Sequence, residues 1–226
     1  MTEQGQAAAA TWREPDFAKS WAETDALRDI LGFPRRMAAA IVADDNAKPE
    51  CVVDIASGPG EVLAAFLDEF PGARGIWTDA SETMLDLARE RLARFGDRVE
   101  YHILDMTDLA GGALPGGADV ITTSRAAHHL DRAGLFSFYA QAASLLAPGG
   151  WLINLDHIGP GEVWDKRLRG VRNRFRTSPQ GPGHHHNYPL TSVSDHLEAY
   201  AAAGIEDVEV VWRAFITCLF MGRRSE

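Results

Sequence analysis

The sequence has few cysteines and no excess of basic residues. The first shortage argues against a fold that depends on disulfides, and the second argues against broad binding of nucleic acid. Its 226 residues include two cysteines, Cys51 and Cys218. They share no metal-ligand or redox spacing, and both lie inside apolar runs, so we expect buried, reduced thiols in a cytoplasmic protein. At this length one hydrophobic core is enough for stability without disulfides or a structural metal.

Acidic residues outnumber basic ones, 32 Asp and Glu against 22 Lys and Arg, which gives a formal net charge of −10 and a pI near 5.2. Because the summed field repels phosphate groups, neither nucleic acid nor an anionic membrane surface is expected as a partner. The sequence also lacks the basic start and apolar stretch of a secretory signal, and it lacks an apolar run of membrane-spanning length. We therefore expect neither export nor membrane insertion.

Short β-branched runs alternate with stretches of helical period over residues 52–155. This alternation predicts βα units that build a parallel sheet. Strands are predicted at 51–55, 74–78, 99–104, 118–123 and 151–156. Two further runs, at 206–213 and 215–222, are joined too tightly for a crossover helix, so they should pair antiparallel as a hairpin at a sheet edge.

Residues 52–61 are the most informative stretch, because a strand there meets glycines and then a helix. Gly58 and Gly60 allow the backbone to approach a ligand at the carboxyl edge of the first strand, where open α/β sheets bind ligands. A plain tight turn is an equal alternative for these glycines taken by themselves.

Charge distinguishes the ligands that such a loop can hold. A dinucleotide loop carries a third glycine near its pyrophosphate, but Leu63 stands at that position. Asp54 and Glu61 flank the turn, and their carboxylates would repel a pyrophosphate. The loop therefore favours a ligand that has cationic groups and no phosphate, such as S-adenosylmethionine (SAM).

The next two strands also end in acidic residues. Asp79 follows Gly58 by 79 − 58 = 21 residues, where a carboxylate can accept both hydroxyls of a ribose. Its alternative role is that of a helix N-terminal acid, although Ser81 can cap that helix without it. After the third strand, Asp105 offers an acceptor for an adenine amine, and Met106 offers a polarizable side chain to pack on the ring.

Together these segments resemble the class I SAM-dependent methyltransferases over roughly 50–222. The matching segments are Asp54-Ile-Ala-Ser-Gly-Pro-Gly60, residues 77–85, Asp105, residues 118–121 and residues 145–150. The resemblance implies an α/β fold with a doubly wound, seven-stranded, mostly parallel sheet whose last strand is antiparallel. A departure from the family pattern is Ala56-Ser57, where many members have a glycine, and the alanine is expected to tighten the loop.

The same resemblance implies a binding site for SAM, which is converted to S-adenosylhomocysteine (SAH). We expect the cofactor to contact residues of the loop and of the strand ends that follow it. These are Asp54, Ala56, Ser57, Gly58, Gly60, Asp79, Ala80, Met84, Asp105, Met106 and Ser124.

Arg125, His128 and His129 follow the fourth predicted strand, at the edge where the cofactor would lie. A neutral imidazole is poised near working pH to remove a phenol or hydroxyl proton, so His129, and after it His128, are candidate bases. Arg125 is a candidate for holding the resulting anion. The alternative is that the histidines only pack or cap the next turn. The Arg-x-x-x-His spacing is similar to that of small C-methyltransferases of phenolic rings, such as coumarin C-methyltransferases.

Further residues are candidates for contacts with an acceptor. His157 ends the fifth strand as a second base or substrate contact, or as a satisfied loop histidine. Trp12 and Trp21 form either a lid over a flat substrate or a cover for the core, and Tyr188 can join the substrate entrance. No metal site is predicted, because the adjacent histidines at 184–186 have no evident fourth ligand.

The sequence therefore predicts SAM-dependent methylation of a small organic acceptor, an aromatic or phenolic natural-product intermediate, at carbon or oxygen. A SAM-bound enzyme of another reaction, such as a cyclase, and a catalytically silent partner subunit are the alternatives. We expect one domain over 1–226. The sequence permits a homodimer without requiring one. Its predicted parts are an N-terminal helical lid (1–48), a SAM-binding core (49–156), a substrate-covering insertion (157–190) and a C-terminal helix with a β-hairpin (191–226).

Overall fold

A seven-stranded sheet runs through the part of the chain that the computed structural model describes, namely residues 14–17, 28–45, 48–111, 114–175 and 189–225. Its strands are β1 (Cys51–Ile55), β2 (Arg74–Asp79), β3 (Val99–Ile103), β4 (Ala118–Ser124), β5 (Leu146–His157), β6 (Ile205–Ala214) and β7 (Thr217–Arg224). The α-helices are α1 (Arg28–Asp44), α2 (Glu61–Glu69), α3 (Glu82–Leu92), α4 (Arg132–Leu145), α5 (Glu162–Arg174) and α6 (Val193–Ala202). Two 3₁₀ segments lie at Ala93–Arg98 and Ala127–His129.

The strands are ordered β3-β2-β1-β4-β5-β7-β6 across the sheet. Strands β1 to β5 pair in parallel, whereas β7 pairs antiparallel with both β5 and β6. The predicted parallel core and the antiparallel C-terminal hairpin are confirmed. The carboxyl ends of β1, β2 and β4 consequently meet at one edge, on the two sides of the point where the strand order reverses.

Two hydrophobic clusters cover the two faces of this sheet. Leu31 of α1, Phe66 of α2 and Leu92 of α3 belong to the first cluster. Phe138 of α4 and Tyr200 of α6 belong to the second. Helices therefore pack on both faces, and the predicted doubly wound α/β architecture is confirmed.

Strand β5 begins earlier than the sequence predicts. The Pro-Gly-Gly segment ends α4 at Leu145, yet it then joins the sheet, because Leu146 pairs with Ala118 and a register shift separates Ala118 from Val120. A β-bulge admits such a segment without breaking the strand. The predicted start at residue 151 is therefore wrong.

The structure confirms Ser81 as the cap at the start of a helix. The side chain of Ser81 accepts a hydrogen bond from the backbone N–H of Met84 at the start of α3. A complete capping box between Ser192 and Asp195 begins α6. Both cysteines are buried free thiols, as predicted. Among the described helices, none has the length and apolarity needed to cross a lipid bilayer.

A buried polar group, His196 of α6, lies within the second cluster. Its Nδ1 is 2.8 Å from the hydroxyl of Tyr139 and its Nε2 is 3.1 Å from Oγ1 of Thr191. The amide of Asn154 donates to the same tyrosine oxygen at 2.7 Å. Burial lowers the pKa of His196 from 6.5 to about 4, so the imidazole is neutral in the folded protein at neutral pH.

This depressed pKa predicts that the protein loses stability through His196 as the pH falls below about 6.5, because protonation then favours the unfolded chain. The unfolded chain binds a proton on His196 below about pH 6.5 while the folded chain does not until about pH 4. We expect the difference in unfolding free energy between wild type and His196→Gln to shrink by up to ~1.4 kcal/mol per pH unit within that window. Urea unfolding at pH 7, 6 and 5 measures it. A difference that is constant over this range would contradict the prediction.

Candidate cofactor and acceptor site

A cavity of about 670 Å³ opens at the carboxyl edge of the sheet, next to β1, β2 and β4. This volume is typical of a small-molecule site. Many of the residues predicted from the sequence lie in its wall. They are Ala56, Ser57, Gly58, Asp79, Ala80, Met84, Asp105, Met106, Ser124, Arg125 and His129.

The loop after β1 is supported from beneath by Asp54. This carboxylate is fully buried and accepts hydrogen bonds from the hydroxyl of Ser57, the hydroxyl of Thr122 at 2.6 Å and the backbone N–H of Leu63 at 3.3 Å. Burial raises its pKa to about 6. Among the described residues Asp54 is not part of the cavity wall. Asp54 thus braces the loop, and its direct contact with the cofactor stays a prediction.

The loop backbone turns through left-handed conformations, with φ of 51° at Ala56, 55° at Gly58 and 81° at Gly60. Alanine tolerates this region less well than glycine does, so Ala56 stores a small strain. Gly60 is the N-cap of α2, and it packs toward Leu92 rather than toward the cavity. Its contact with the cofactor stays a prediction.

Asp79, at the end of β2, links the loop to the next strand. One of its oxygens accepts from the backbone N–H of Gly58 and the other from that of Ser81, each at 2.9 Å. The indole N–H of Trp77 donates to the carbonyl of Gly58 at 2.8 Å. Burial raises the pKa of Asp79 to about 6. The carboxylate lies in the cavity wall, where it can accept hydroxyl groups of a ligand.

A second carboxylate, Asp105, follows β3 on the same side of the cavity. Its Oδ1 accepts from the backbone N–H of Thr107 at 2.9 Å and from the Thr107 hydroxyl at 2.7 Å, which fixes the turn. Met106, between these two residues, also lines the cavity. Because β3 and β2 are neighbours in the sheet, Asp105 and Asp79 occupy adjacent strand ends.

Guanidinium groups lie on the other side of the loop. Arg35 of α1 forms an ion pair with Glu61, and Nη2 of Arg125 lies 3.9 Å from the same carboxylate. The side chains of Arg35 and Arg125 are 6% and 8% exposed, and both line the cavity. Sequence reasoning missed Arg35, because no pattern in an N-terminal helix shows which way its arginines turn. Arg125 lies in the cavity wall beside Glu61, and its predicted role in holding the anion of the acceptor stays a prediction.

The cavity wall therefore has carboxylates at the ends of β2 and β3, and on its other side it has the guanidiniums of Arg35 and Arg125 together with Glu61. SAM has a matching distribution of groups, since its ribose hydroxyls and adenine amine are donors and its amino acid part carries a carboxylate. Asp79, Asp105 and Met106 fit the adenosine, and Arg35 fits the carboxylate.

The histidines that the sequence predicts as site residues differ in how deeply their side chains are buried. His129 lies in the cavity wall, whereas His128 is 2% exposed and lies behind it. The ring of His128 is 4.1 Å from that of His129, centroid to centroid, and its Nδ1 is 2.5 Å from Oδ1 of Asp156. Nδ1 of His157 is 2.9 Å from Oγ1 of Thr217. Within the described chain, His128 and His157 are not in the cavity wall. Their direct roles in base catalysis and acceptor binding stay predictions.

Several predicted residues lie outside the described part of the chain. They are Trp12, Trp21, Tyr188 and the histidines at 184–186. Their predicted roles at the acceptor entrance stay predictions. Among the described residues there is no cluster of three or more His, Cys, Asp or Glu side chains that could hold a metal ion.

Comparison with known proteins agrees with this geometry. Residues 52–150 match the family model described as a methyltransferase domain. The glycine loop and the ends of β2 and β4 lie inside this matched segment. The structure of magnesium protoporphyrin IX methyltransferase from Synechocystis PCC 6803, which holds bound SAH, is similar in fold to this chain, with a TM-score of 0.70 and 16% identity. That similarity covers 97% of this chain and 99% of that chain.

Two curated relatives match parts of this chain. The 3-amino-4-hydroxybenzoate 4-O-methyltransferase of Streptomyces cremeus is 31% identical over 115 residues, which are 50% of this chain and 30% of that protein. The ribosomal RNA small subunit methyltransferase H of Chlamydia caviae is 41% identical over 69 residues, 30% of this chain and 23% of that protein. The chain thus spans less than a third of the length of either relative.

Substitution of the two loop glycines, Gly58 and Gly60, tests how tightly the loop packs at each position. A Cβ at Gly60 would lie 2.8 Å from Cδ1 of the buried Leu92, whereas a Cβ at Gly58 would lie 3.9 Å from Sδ of Met84. Because both positions have positive φ, we expect Gly58→Ala to lower the unfolding free energy by about 1 kcal/mol and Gly60→Ala by about 2 kcal/mol or more. Urea unfolding measures this. Equal losses would contradict the packing role of Gly60.

Proposed function

We propose that this methyltransferase transfers a methyl group from SAM to a small phenolic acceptor, at the phenol oxygen or at the ring carbon that the hydroxyl activates. The observation that carries the proposal is the position of His129. It lies in the wall of the same cavity as the glycine loop and Asp79. An imidazole and a cofactor site thus share one enclosed space.

The residues assigned to SAM follow from the polarity of the cavity. Asp79 would accept the ribose hydroxyls, Asp105 and Met106 would contact the adenine, and Arg35 would pair with the carboxylate. When bound, SAM supplies a methyl group whose bond to the sulfonium sulfur breaks as a bond to the acceptor forms, which leaves SAH. The protein's contribution is to hold the acceptor in line with that bond.

His129 would accept the proton of the acceptor. A phenol is a poor nucleophile until its proton leaves, and a neutral imidazole in hydrogen-bond reach can take that proton at neutral pH. The 3₁₀ segment Ala127–His129 holds the imidazole, and the backbone N–H of His129 donates to the carbonyl of Ala126 at 3.1 Å. Near His129 the wall includes Leu130, Ala133 and Phe138, which suit the face of an aromatic ring.

Two further observations favour a small phenol over RNA. The curated relative from Streptomyces cremeus acts, by its name, on a hydroxybenzoate. An RNA acceptor is suggested by the partial similarity to a ribosomal RNA methyltransferase, but the net charge of −10 opposes it. Transfer of label to product also separates a methyltransferase from a SAM-bound cyclase or a silent partner subunit.

The test is mass spectrometry of products formed with methyl-labelled SAM. Wild type, His129→Asn and the control His102→Asn are each incubated with panels of phenols, amines, carboxylic acids and an RNA transcript. We expect label on a phenol, and we expect His129→Asn to lower kcat by about 10²- to 10⁴-fold. His102 lies on β3, is absent from the cavity wall among the described residues and should be replaceable without loss of kcat.

Other outcomes contradict particular parts of the proposal. Label on a phenol that persists at full rate in His129→Asn would remove the base and leave a methyltransferase that works by alignment. Label on the transcript alone would overturn the choice of acceptor. Tight SAM binding without label on any acceptor would favour the cyclase or the silent subunit.

A further inference from the structure

A buried carboxylate, Asp156, lies near the end of β5, behind the cavity wall, and its side chain is 0% exposed. Its Oδ2 accepts from the backbone N–H of His128 at 3.0 Å, and its Oδ1 is 2.5 Å from Nδ1 of the same residue. Oδ1 also accepts from the backbone N–H of His157 at 2.7 Å. Both carboxylate oxygens thus hold His128, one by its ring and one by its backbone.

His128 separates this carboxylate from His129. The ring of His128 is 2% exposed, and its centroid lies 4.1 Å from the ring of His129 and 5.0 Å from that of His157. Asp156 therefore binds the 3₁₀ segment Ala127–His129 at its middle residue, His128. The next residue, His129, lies in the cavity wall.

The other titratable groups that face Asp156 are neutral at neutral pH. Burial lowers the pKa of His196 to about 4, raises that of Cys218 to about 11, and raises those of Tyr139 and Tyr200 above their usual value. Among the described residues around Asp156, positive charge to balance its carboxylate can therefore come from the imidazoles of His128, His129 and His157. A negative charge stabilises a nearby imidazolium.

We propose that Asp156 and His128 form a buried positioning pair that orients His129, and that the negative charge of Asp156 stabilises the positive charge that His129 gains when it accepts the acceptor's proton. The proposal rests on the proposed function of His129 as the base. Neither member of the pair contacts the acceptor, so both act through His129.

The first test needs no turnover and follows the titration of His129 by NMR in histidine-labelled protein with SAM bound. In Asp156→Asn the negative charge is lost, so we expect the pKa of His129 to fall by about one unit. In His128→Asn the neighbouring imidazole that competes for the same proton is lost, so we expect the pKa of His129 to rise. Shifts of opposite sign from two substitutions in one buried pair are not expected from loosened packing.

The second test uses turnover, on the acceptor that the label experiment identifies. The acid limb of the pH profile of kcat/KM reports the base in the free enzyme. It should move to lower pH in Asp156→Asn and to higher pH in His128→Asn, and kcat should fall about tenfold or more in both, because the orientation of His129 is lost.

Thr217→Val is the matched control. It keeps nearly the same side-chain shape and removes the hydroxyl that lies 2.9 Å from Nδ1 of His157, without touching Asp156 or His128. We expect a lower Tm and an unchanged titration of His129. A shift of the His129 titration in the control equal to that in Asp156→Asn would overturn the proposal.

The outcomes also separate this proposal from the proposed function. If His129 titrates at the same pH in wild type and both pair variants, the positioning pair is wrong even where methylation depends on His129. If the opposite shifts occur but no acceptor is labelled, the pair stands and the assignment of the base fails. Should Asp156→Asn fail to fold, the titration of His128→Asn decides, and a fall or no change in the pKa of His129 overturns the pair.

Discussion

The cavity depends on one buried carboxylate, that of Asp54. Its oxygens join the loop at Ser57, the first turn of α2 at Leu63 and the neighbouring strand β4 at Thr122. A loop that turns through three left-handed residues would not hold its shape on backbone preference alone, so this carboxylate fixes the path on which Gly58 meets Asp79. Every other group of the site is placed relative to that path.

Much of the fold could be predicted because its signals are local. The alternation of strands and helices, the capping residue Ser81 and the tight connection before β7 depend on neighbours in sequence, and the structure confirms them. The start of β5 depended on pairing with Ala118, a distant residue, and was wrong. The division of the chain into a lid, a core and an insertion stays a prediction.

Site residues at the ends of strands could be predicted from the sequence. The orientation of side chains that depends on contacts between distant elements could not. Asp79 and Asp105 follow strands whose carboxyl ends must meet at one edge, so sequence spacing was enough to bring them together. Which way Arg35 and Arg125 turn depends on the position of Glu61 across three elements. Likewise, the sequence offered His129, and after it His128, as candidate bases, and only the packing of β5 against the 3₁₀ segment Ala127–His129 separates a buried ring from one in the cavity wall.

The carboxylates that form the site oppose the stability of the fold. Burial raises the pKa values of Asp54 and Asp79 to about 6, so both are ionised at neutral pH at a cost that the unfolded chain does not bear. Each such shift corresponds to a few kcal/mol on the order-of-magnitude scale of about 1.4 kcal/mol per pKa unit. The two hydrophobic clusters must offset that cost. A fully solvated carboxylate would destabilise the fold less, but it would bind a ribose more weakly and less selectively. This difference is a physical reason for the position of Asp79 at the buried end of its strand.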